Sequence, residues 1–355
     1  MRKLLALLSL CVFILNVLPT SRPFAQATPT ITIADLIQDA ANDSAKPEFT
    51  IYLAALKAND PKLLARLADK NSTSTVFAPT DAAFKRFLRI FGDHKIEDMV
   101  KYGALFNPIL EHSIVPGIAL TTKTLTDDDG AWVGTLLDDS FEVVAVIKGK
   151  LTYDDAPIEV MDVQATNGIL HGVAGSIYAN PNLDFGMLAQ PPAAPTAAAT
   201  LQGSQAKSLA DTVASSSNFK TLASALKAAD PAVLKTLSSE GPYTVLAPTD
   251  EGFTNTLKKL SVSPADFLAR KDLTQVLLYH VLPGSISKRK LDGLVGIADG
   301  FTGKPLMLIT LTGQVVTVKE DGDLVSFNDD PRAHSVDIVA NGRLYKIDGV
   351  LIPKP

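Results

Sequence analysis

The chain has 355 residues, of which 46% are hydrophobic and 20% charged, and its formal net charge at pH 7 is −5. This length accommodates two ordinary domains, and the composition is that of a globular protein rather than a disordered one. The acidic balance argues against a nucleic-acid partner, which would require a clustered basic face.

Residues 1–27 are predicted to be a secretory signal peptide. A short basic start is followed by an apolar run over residues 4–17, which is too short to span a bilayer comfortably, and the segment closes on small residues. We expect cleavage after about Ala27, a mature chain without a transmembrane segment, and a periplasmic or extracellular location. Cleavage would remove Cys11, the only cysteine, and would leave 30 basic against 38 acidic residues.

A ten-residue pattern, Thr-Val-x-Ala-Pro-Thr-Asp-x-x-Phe, occurs at residues 75–84 and again 169 residues later, at 244–253. An interval of this size indicates two similar domains rather than a solenoid repeat. Each copy predicts a strand that ends at its proline and a helix that begins directly after it. The pairs Thr80-Asp81 and Thr249-Asp250 are suited to cap that helix, so we interpret them as structural rather than catalytic.

Helices are predicted before and after this motif in both halves. Apolar residues recur at helical spacing ahead of each copy. Beyond it, an apolar helix ends at His112 in the first half and at His280 in the second, and a Pro-Gly turn follows each histidine. We interpret the two histidines as hydrogen-bonded core residues rather than bases, and expect them to bond the strand–helix motif.

Strands dominate the last third of each half. Hairpin turns are predicted near residues 148–150 and 321–322, and an Asn-Gly corner precedes the final apolar strand in each half. These corners are Asn167-Gly168 and Asn341-Gly342. Helices followed by strands, twice over, predict an α+β fold for each half. A Pro/Ala/Thr-rich stretch predicts an extended linker at 181–205, between a first domain at 31–180 and a second at 206–353.

The three motifs, in this order and in both halves, resemble the fasciclin (FAS1) domain. The second half matches more closely because it has Tyr279-His280, whereas Glu111 precedes His112 in the first. The resemblance implies that each domain is a β-wedge of two sheets with a layer of helices. It also implies a secreted, non-enzymatic adhesion or interaction module without a cofactor. The expected partner is an extracellular or cell-envelope protein or polysaccharide.

The resemblance further suggests candidate binding residues. In animal members of the family, an Asp-Ile pair just before the Asn-Gly corner has been implicated in receptor binding. The positions that match it here are Asp162-Val163 and Asp337-Ile338. Strand alternation alone would also place a solvated aspartate beside a buried aliphatic residue, so a structural interpretation stays open.

One basic cluster, Lys288-Arg289-Lys290, follows the second Pro-Gly turn in what is predicted to be a loop. It is a candidate contact for an acidic polysaccharide or an anionic surface. The sequence has no nucleophile elbow, no phosphate-binding glycine pattern and no zinc or calcium spacing, so no catalytic residue and no metal site is predicted. The alternatives are a hydrolase with an unrecognised site and a carrier of a small ligand or glycan.

Overall fold

The computed structural model describes residues 29–90, 103–175, 207–302, 305–322 and 324–354. The predicted signal peptide and the predicted linker lie outside these ranges. Across the ranges that are described, no helix combines the length and the apolar character needed to cross a membrane.

The first half begins with three helices, and three more described helices follow its first strand. Its described helices are α1 (Ile33–Ala41), α2 (Thr50–Asn59), α3 (Pro61–Ala68), α4 (Asp81–Ile90), α5 (Gly103–His112) and α6 (Thr122–Asp127). Its strands are β1 (Ser74–Pro79), β2 (Ile114–Pro116), β3 (Ala131–Gly134), β4 (Phe141–Ile147), β5 (Lys150–Tyr153), β6 (Ala156–Ala165) and β7 (Gly168–Val173). The motif strand β1 ends at its proline, as predicted, because proline has no N–H to continue the ladder.

The second half repeats this order. Its helices are α7 (Leu209–Ser215), α8 (Lys220–Ala228), α9 (Pro231–Ser238), α10 (Asp250–Leu260), α11 (Pro264–Leu268), α12 (Leu273–Tyr279) and α13 (Lys288–Thr302). Its strands are β8 (Tyr243–Pro248), β9 (Val281–Pro283), β10 (Leu306–Ile309), β11 (Val315–Asp321), β12 (Leu324–Phe327), β13 (Ala333–Val339) and β14 (Gly342–Ile347). The predicted α+β fold is therefore confirmed.

Each half has two sheets with the same topology. One sheet has the order β6-β7-β1-β2 in the first half and β13-β14-β8-β9 in the second, and the motif strand runs parallel to the last strand of its half. The other sheet is an antiparallel meander, β3-β4-β5 or β10-β11-β12. Most of the helices pack over the first of these sheets, whereas α6 contacts β4 and β5 and α13 contacts β10 and β11. This arrangement gives the expected wedge with a helical layer.

The apolar faces of this helical layer form the cores. In the first half Ile37, Leu56 and Leu67 pack with Val76 of β1 and with Phe84, the closing residue of the motif. The second half has the same arrangement, in which residues of α7, α8 and α9 pack on β8 and on the closing phenylalanine of its motif. Each repeated phenylalanine therefore anchors α4 or α10 to the strand that precedes it.

The two halves also contact each other through their backbones. Trp132 of β3 pairs in parallel with Leu308 of β10, so the strands of both halves continue into one ten-stranded sheet. Gly134, at the end of β3, lies against the Pro283-Gly284 turn, and a Cβ atom at Gly134 would be 2.1 Å from the Pro283 carbonyl oxygen. This approach is open only to a residue without a side chain.

Charged side chains form hydrogen bonds across this contact between the halves. The Arg343 guanidinium donates to Asp139 at 2.9 Å and to Asp138 at 3.1 Å. The backbone N–H of Asp139 in turn donates to the Ser285 carbonyl at 2.9 Å. The second domain therefore holds a short acidic turn of the first domain by charge-assisted hydrogen bonds.

Candidate functional site

The repeated Thr-Asp pairs tie helices to the motif. Thr80 and Thr249 each accept a hydrogen bond from the backbone N–H three residues further on, at 3.2 and 3.1 Å, and so cap α4 and α10. The carboxylates of Asp81 and Asp250 reach a different helix. They accept backbone N–H bonds from the first turns of α2 and α8, at 3.0 and 2.7 Å. All four side chains are thus occupied by backbone donors.

The Asn-Gly corners fix the helical layer to the last strand. Asn167 Oδ1 accepts from the first N–H of α1 at 2.9 Å, and its Nδ2 donates to the last carbonyl but one of α3 at 2.8 Å. Asn341 bonds α7 and α9 in the same way, at 2.8 and 2.9 Å. Gly168 and Gly342 have φ values of 140° and 149°, and a Cβ atom at either would be 1.8 Å from a carbonyl oxygen of the motif strand.

Asp162 is engaged inside the first domain. Its carboxylate accepts from Thr122 N–H at 2.8 Å and from the Thr122 hydroxyl, at the start of α6, and its own N–H donates to His171 Nδ1 at 3.3 Å. Asp162 has φ 55° and lies in a β-bulge between Val160 and Val163, and the Val163 side chain packs against the core of the first half. This pair therefore offers little to a partner.

The bulge also changes which residues correspond between the two domains. Val163 pairs with Leu170 on β7, whereas Asp337 pairs with Leu344, the matching position on β14. By strand register the counterpart of Asp337 is therefore Val163, not Asp162. The sequence match of the two pairs was wrong by one residue, because the bulge adds a residue to β6.

Asp337 and Ile338, which we call the edge patch, lie on the surface of the second domain. They belong to β13, the edge strand of its sheet. Ile338 is 72% exposed, the highest value among the large hydrophobic side chains described. Asp337 pairs with Lys346 Nζ at 2.9 Å and remains partly exposed. An exposed aliphatic side chain beside a charged pair, on an edge strand, is accessible to a partner.

The basic cluster does not lie in a loop as predicted. Lys288, Arg289 and Lys290 form the first turn of α13, because Ser287 Oγ accepts the Lys290 N–H at 3.2 Å and so caps the helix. Lys288 pairs with Asp292 one turn on, at 2.8 Å. The three charges therefore do not form one basic surface: Arg289 is exposed, Lys288 is paired, and Lys290 is half-buried.

His280 is a buried structural residue, but its ring does not bond the strand–helix motif. Nδ1 is 2.7 Å from the Val276 carbonyl, and Nε2 accepts the Leu351 N–H at 2.8 Å, so the neutral ring carries its proton on Nδ1. Burial lowers the pKa of His280 to about 4. The ring thus links α12 to the segment after β14. The expected bond to the motif is made by the backbone instead, because the His280 carbonyl accepts the Leu246 N–H at 2.8 Å.

His112 occupies the matching position of the first half in a very different setting. Its Nδ1 is 3.2 Å from Ser140 Oγ and 3.3 Å from Glu142 Oε1, and its Nε2 is 3.7 Å from Asp154 Oδ2. We call His112, Glu142 and Asp154 the histidine–carboxylate cluster. The His112 ring is fully buried, and its Nε2 has no hydrogen-bond partner in the parts of the chain that the structure describes. Here too the ring does not bond the motif.

The charges of this cluster are only partly balanced. Burial raises the pKa of Glu142 to about 7; the His112 ring opposes this shift and Asp154 adds to it. The neighbouring Glu111, which stands where the second half has Tyr279, also has a pKa raised to about 7, by burial and then by Asp60. Acidic side chains thus lie in a partly buried site. Burial of their charged form costs free energy unless a cation or a hydrogen-bond donor compensates it.

Sequence patterns gave no signal for this cluster. Its members come from the end of α5, from β4 and from the residue after β5, so no local spacing relates them. Strand register shows that the second half lacks it: the counterparts of Glu142 and Asp154 are Val316 and Asn328. Asn328 Nδ2 donates to the Tyr279 hydroxyl at 2.9 Å instead. Only a comparison of the two halves in correct register would have found it.

Comparison with known proteins places this wedge in a family. The Fasciclin domain family matches residues 47–178 and 217–353, which together make up more than half of the chain. The chain therefore belongs to the Fasciclin domain family. It is a tandem pair of such domains.

Relatives occur in bacteria and animals. Protein sll1483 from a Synechocystis strain is 33% identical over 150 residues, covering 42% of this chain and 74% of the relative. Immunogenic protein MPT70 from Mycobacterium tuberculosis is 33% identical over 164 residues, 45% of this chain and 76% of the relative. Transforming growth factor-beta-induced protein ig-h3 from Oryctolagus cuniculus is 33% identical over 123 residues, 34% of this chain and 16% of that longer protein.

Among solved structures, the chain is similar to a FAS1 domain pair from the insect cell adhesion molecule Fasciclin I. That similarity covers 86% of this chain and 96% of the other at 15% identity, with a TM-score of 0.34.

Proposed function

We propose that this protein is a secreted, non-enzymatic interaction protein that holds an envelope or extracellular protein through the edge patch of its second domain. Location outside the cytoplasm follows from the predicted signal peptide at 1–27. The observation that carries the proposal is the 72% exposure of Ile338 on an edge strand, in contrast to the occupied Asp162 of the first domain.

A protein fits the edge patch better than a polysaccharide does. β13 (Ala333–Val339) is the edge strand of its sheet, so among the described strands its outer side has no neighbour, and an extended peptide can pair with it. The exposed Ile338 adds apolar contact, and the ion pair of Asp337 with Lys346 gives the rim both signs of charge. β13 contains no Phe, Tyr or Trp side chain, whose rings offer the broad apolar faces that stack on sugars.

The two alternative functions have less support. A carrier of apolar ligands needs a largely apolar cavity of several hundred Å³. The groove between α3 and α9 has a volume of about 780 Å³, but ten of its fourteen lining residues are charged or carry a hydroxyl group, among them Lys62, Arg66, Asp69 and Lys235. An enzyme of this kind needs a nucleophile beside a base. Among the described residues, the hydroxyl that bonds the ring of His112 or His280 is that of Ser140, and it already donates to Glu142.

The test is capture of a partner from the cell envelope of the same organism, with a defined surface variant. The chain without residues 1–27, immobilised on beads, is expected to capture an envelope protein. The Ile338→Asp variant should capture at least tenfold less of that protein. Ile297→Asp is the matched control, because Ile297 is 55% exposed on α13, away from the edge patch. A photo-crosslinker at position 338 should attach covalently to the retained protein.

Two results would contradict the proposal. Capture that Ile338→Asp leaves intact would place the contact elsewhere on the surface. Retention of glycans in place of proteins, measured on a glycan array, would support a polysaccharide partner and thus the other half of the original expectation.

A further inference from the structure

We propose that the first domain binds one zinc ion at the histidine–carboxylate cluster, with His112, Glu142 and Asp154 as its protein ligands. The inference starts from geometry. One ring nitrogen of His112 and one oxygen from each carboxylate lie within 4.8 Å of one another. These three residues come from three separate elements, so the fold and not local sequence assembles the site.

The unpartnered nitrogen is the observation that indicates a ligand. Nδ1 can donate its proton to Ser140 Oγ, which itself donates to Glu142 at 2.9 Å. In that tautomer Nε2 is a buried lone pair directed at the Asp154 carboxylate, 3.7 Å away, and it meets no donor among the described residues. Two acceptors that face each other in a buried site need a cation between them.

The separation distinguishes a metal ion from a proton. An N–H···O hydrogen bond spans about 2.7–3.2 Å, so 3.7 Å is too long for one. Two ligands of a tetrahedral zinc ion, each about 2.1 Å from the metal, are about 3.4 Å apart. The gap between Nε2 and Asp154 Oδ2 is therefore close to what an intervening ion requires. One Glu142 oxygen lies within 4.8 Å of a His112 ring nitrogen and of an Asp154 oxygen, so the third ligand is close by.

The surroundings supply the remaining features of a metal centre. The hydroxyl of Ser140 fixes the ring through Nδ1, which is the outer-shell contact that metal-bound histidines usually have. The Asp154 and Glu142 side chains are 27% and 16% exposed, so an ion and a water molecule as fourth ligand can enter from solvent. One imidazole and two carboxylates favour zinc over calcium and magnesium, which prefer oxygen ligands alone.

The experiment is calorimetric titration of the chain without residues 1–27, first stripped with EDTA, with zinc chloride. We expect one ion bound per chain, and at least a tenfold loss of affinity in both Asp154→Asn and Glu142→Gln. Asp155→Asn is the matched control, because it removes the same charge from the next, exposed residue. Cobalt substitution gives a second readout, since the ligand-field spectrum of a four-coordinate site should disappear in Asp154→Asn.

Surface binding must be separated from the site. His334 and Asp348 form an exposed pair at 3.1 Å, which is a plausible adventitious zinc contact, so the titration is repeated in His334→Ala. Tight binding should survive this change. Absence of tight binding would overturn the proposal, as would binding that Asp154→Asn and Glu142→Gln leave unchanged, or a preference for calcium. His112→Asn tests the nitrogen ligand, and circular dichroism verifies that each variant is folded.

Discussion

The two domains use the same histidine position for different purposes. In the second domain both ring nitrogens of His280 bond backbone groups, and the hydroxyl of the adjacent Tyr279 bonds the Val315 carbonyl at 2.7 Å. In the first domain the ring of His112 faces two carboxylates instead. The two histidines thus have the same backbone position in the duplicated fold, but the residues around each ring determine whether it bonds backbone groups or faces carboxylates.

A second difference lies at the end of β3 and its counterpart β10. The register of the two meanders places Gly134 of the first domain where the second has Ile309, which is fully buried. Because Gly134 has no side chain, the Pro283-Gly284 turn of the second domain can approach the backbone of β3 in the first domain. The asymmetry between the repeats is thus what allows them to dock against each other.

The largest effect is expected from Gly134→Ile, which gives the first domain the residue of the second. Its Cβ atom would meet the Pro283 carbonyl oxygen and would lie 2.7 Å from the Phe141 ring of its own domain. The domains should therefore separate, and the first domain should also lose some stability. Small-angle scattering should report a larger radius of gyration. Gly293→Ile is the matched control, because nothing lies within 4 Å of a Cβ atom there. An unchanged radius would show that the contact between the domains tolerates the change.

His280→Ala should be the most destabilising of the single histidine changes. It removes a buried ring and leaves the Leu351 N–H unpaired, which together cost about 3 kcal/mol in the free energy of unfolding. Urea unfolding followed by circular dichroism measures this loss. His112→Ala in the absence of zinc is expected to lose about 1 kcal/mol less, because no hydrogen bond to Nε2 is broken. Equal losses would mean that the two rings contribute alike.

Stability of the second domain should depend on pH through His280. Its pKa is lowered to about 4, whereas in the unfolded chain it is near its ordinary value of 6.5, so the unfolded state takes up the proton first. This contribution is complete above pH 6.5 and is lost as the pH falls toward 4, a change of about 3 kcal/mol. Unfolding by urea at several pH values in this range measures it. In His280→Gln the extra slope should be missing, and an identical slope would assign the effect to other groups.

The smallest effects are expected at the repeated aspartates, where the domains agree. Asp81→Ala and Asp250→Ala each leave helix-terminal N–H groups without an acceptor, which costs about 1 kcal/mol of stability in either domain. Chemical unfolding measures both. Asp330→Ala, which breaks only an exposed ion pair with Lys259, serves as the control and should change stability little. Very different losses at the two motifs would show that the repeats are not equivalent even here.

Much of the fold was predictable because local chemistry determines it. Proline at 79 and 248 ends a strand whatever surrounds it, and the threonine that follows caps a helix with its own hydroxyl. The histidine–carboxylate cluster was not predictable in this way, since β4 and β5 bring Glu142 and Asp154 to His112 only after the sheet has formed. The bulge at Asp162 appears in the sequence only as one residue more between Asp162 and Asn167 than between Asp337 and Asn341, and this difference does not show where the extra residue lies.

The strand pair between Trp132 and Leu308, together with the Arg343 contacts, has a consequence for the connection between the domains. Among the described residues, the strand pairing and the Arg343 ion pairs between the halves belong to residues 132–139 and 283–343, and Lys235 adds a hydrogen bond to Asn71 at 3.3 Å. A protease cut in the segment that joins Val173 to Leu209 should leave two fragments that remain associated and migrate as one species under native conditions. That result would show that the contacts between described residues are sufficient to hold the two domains together.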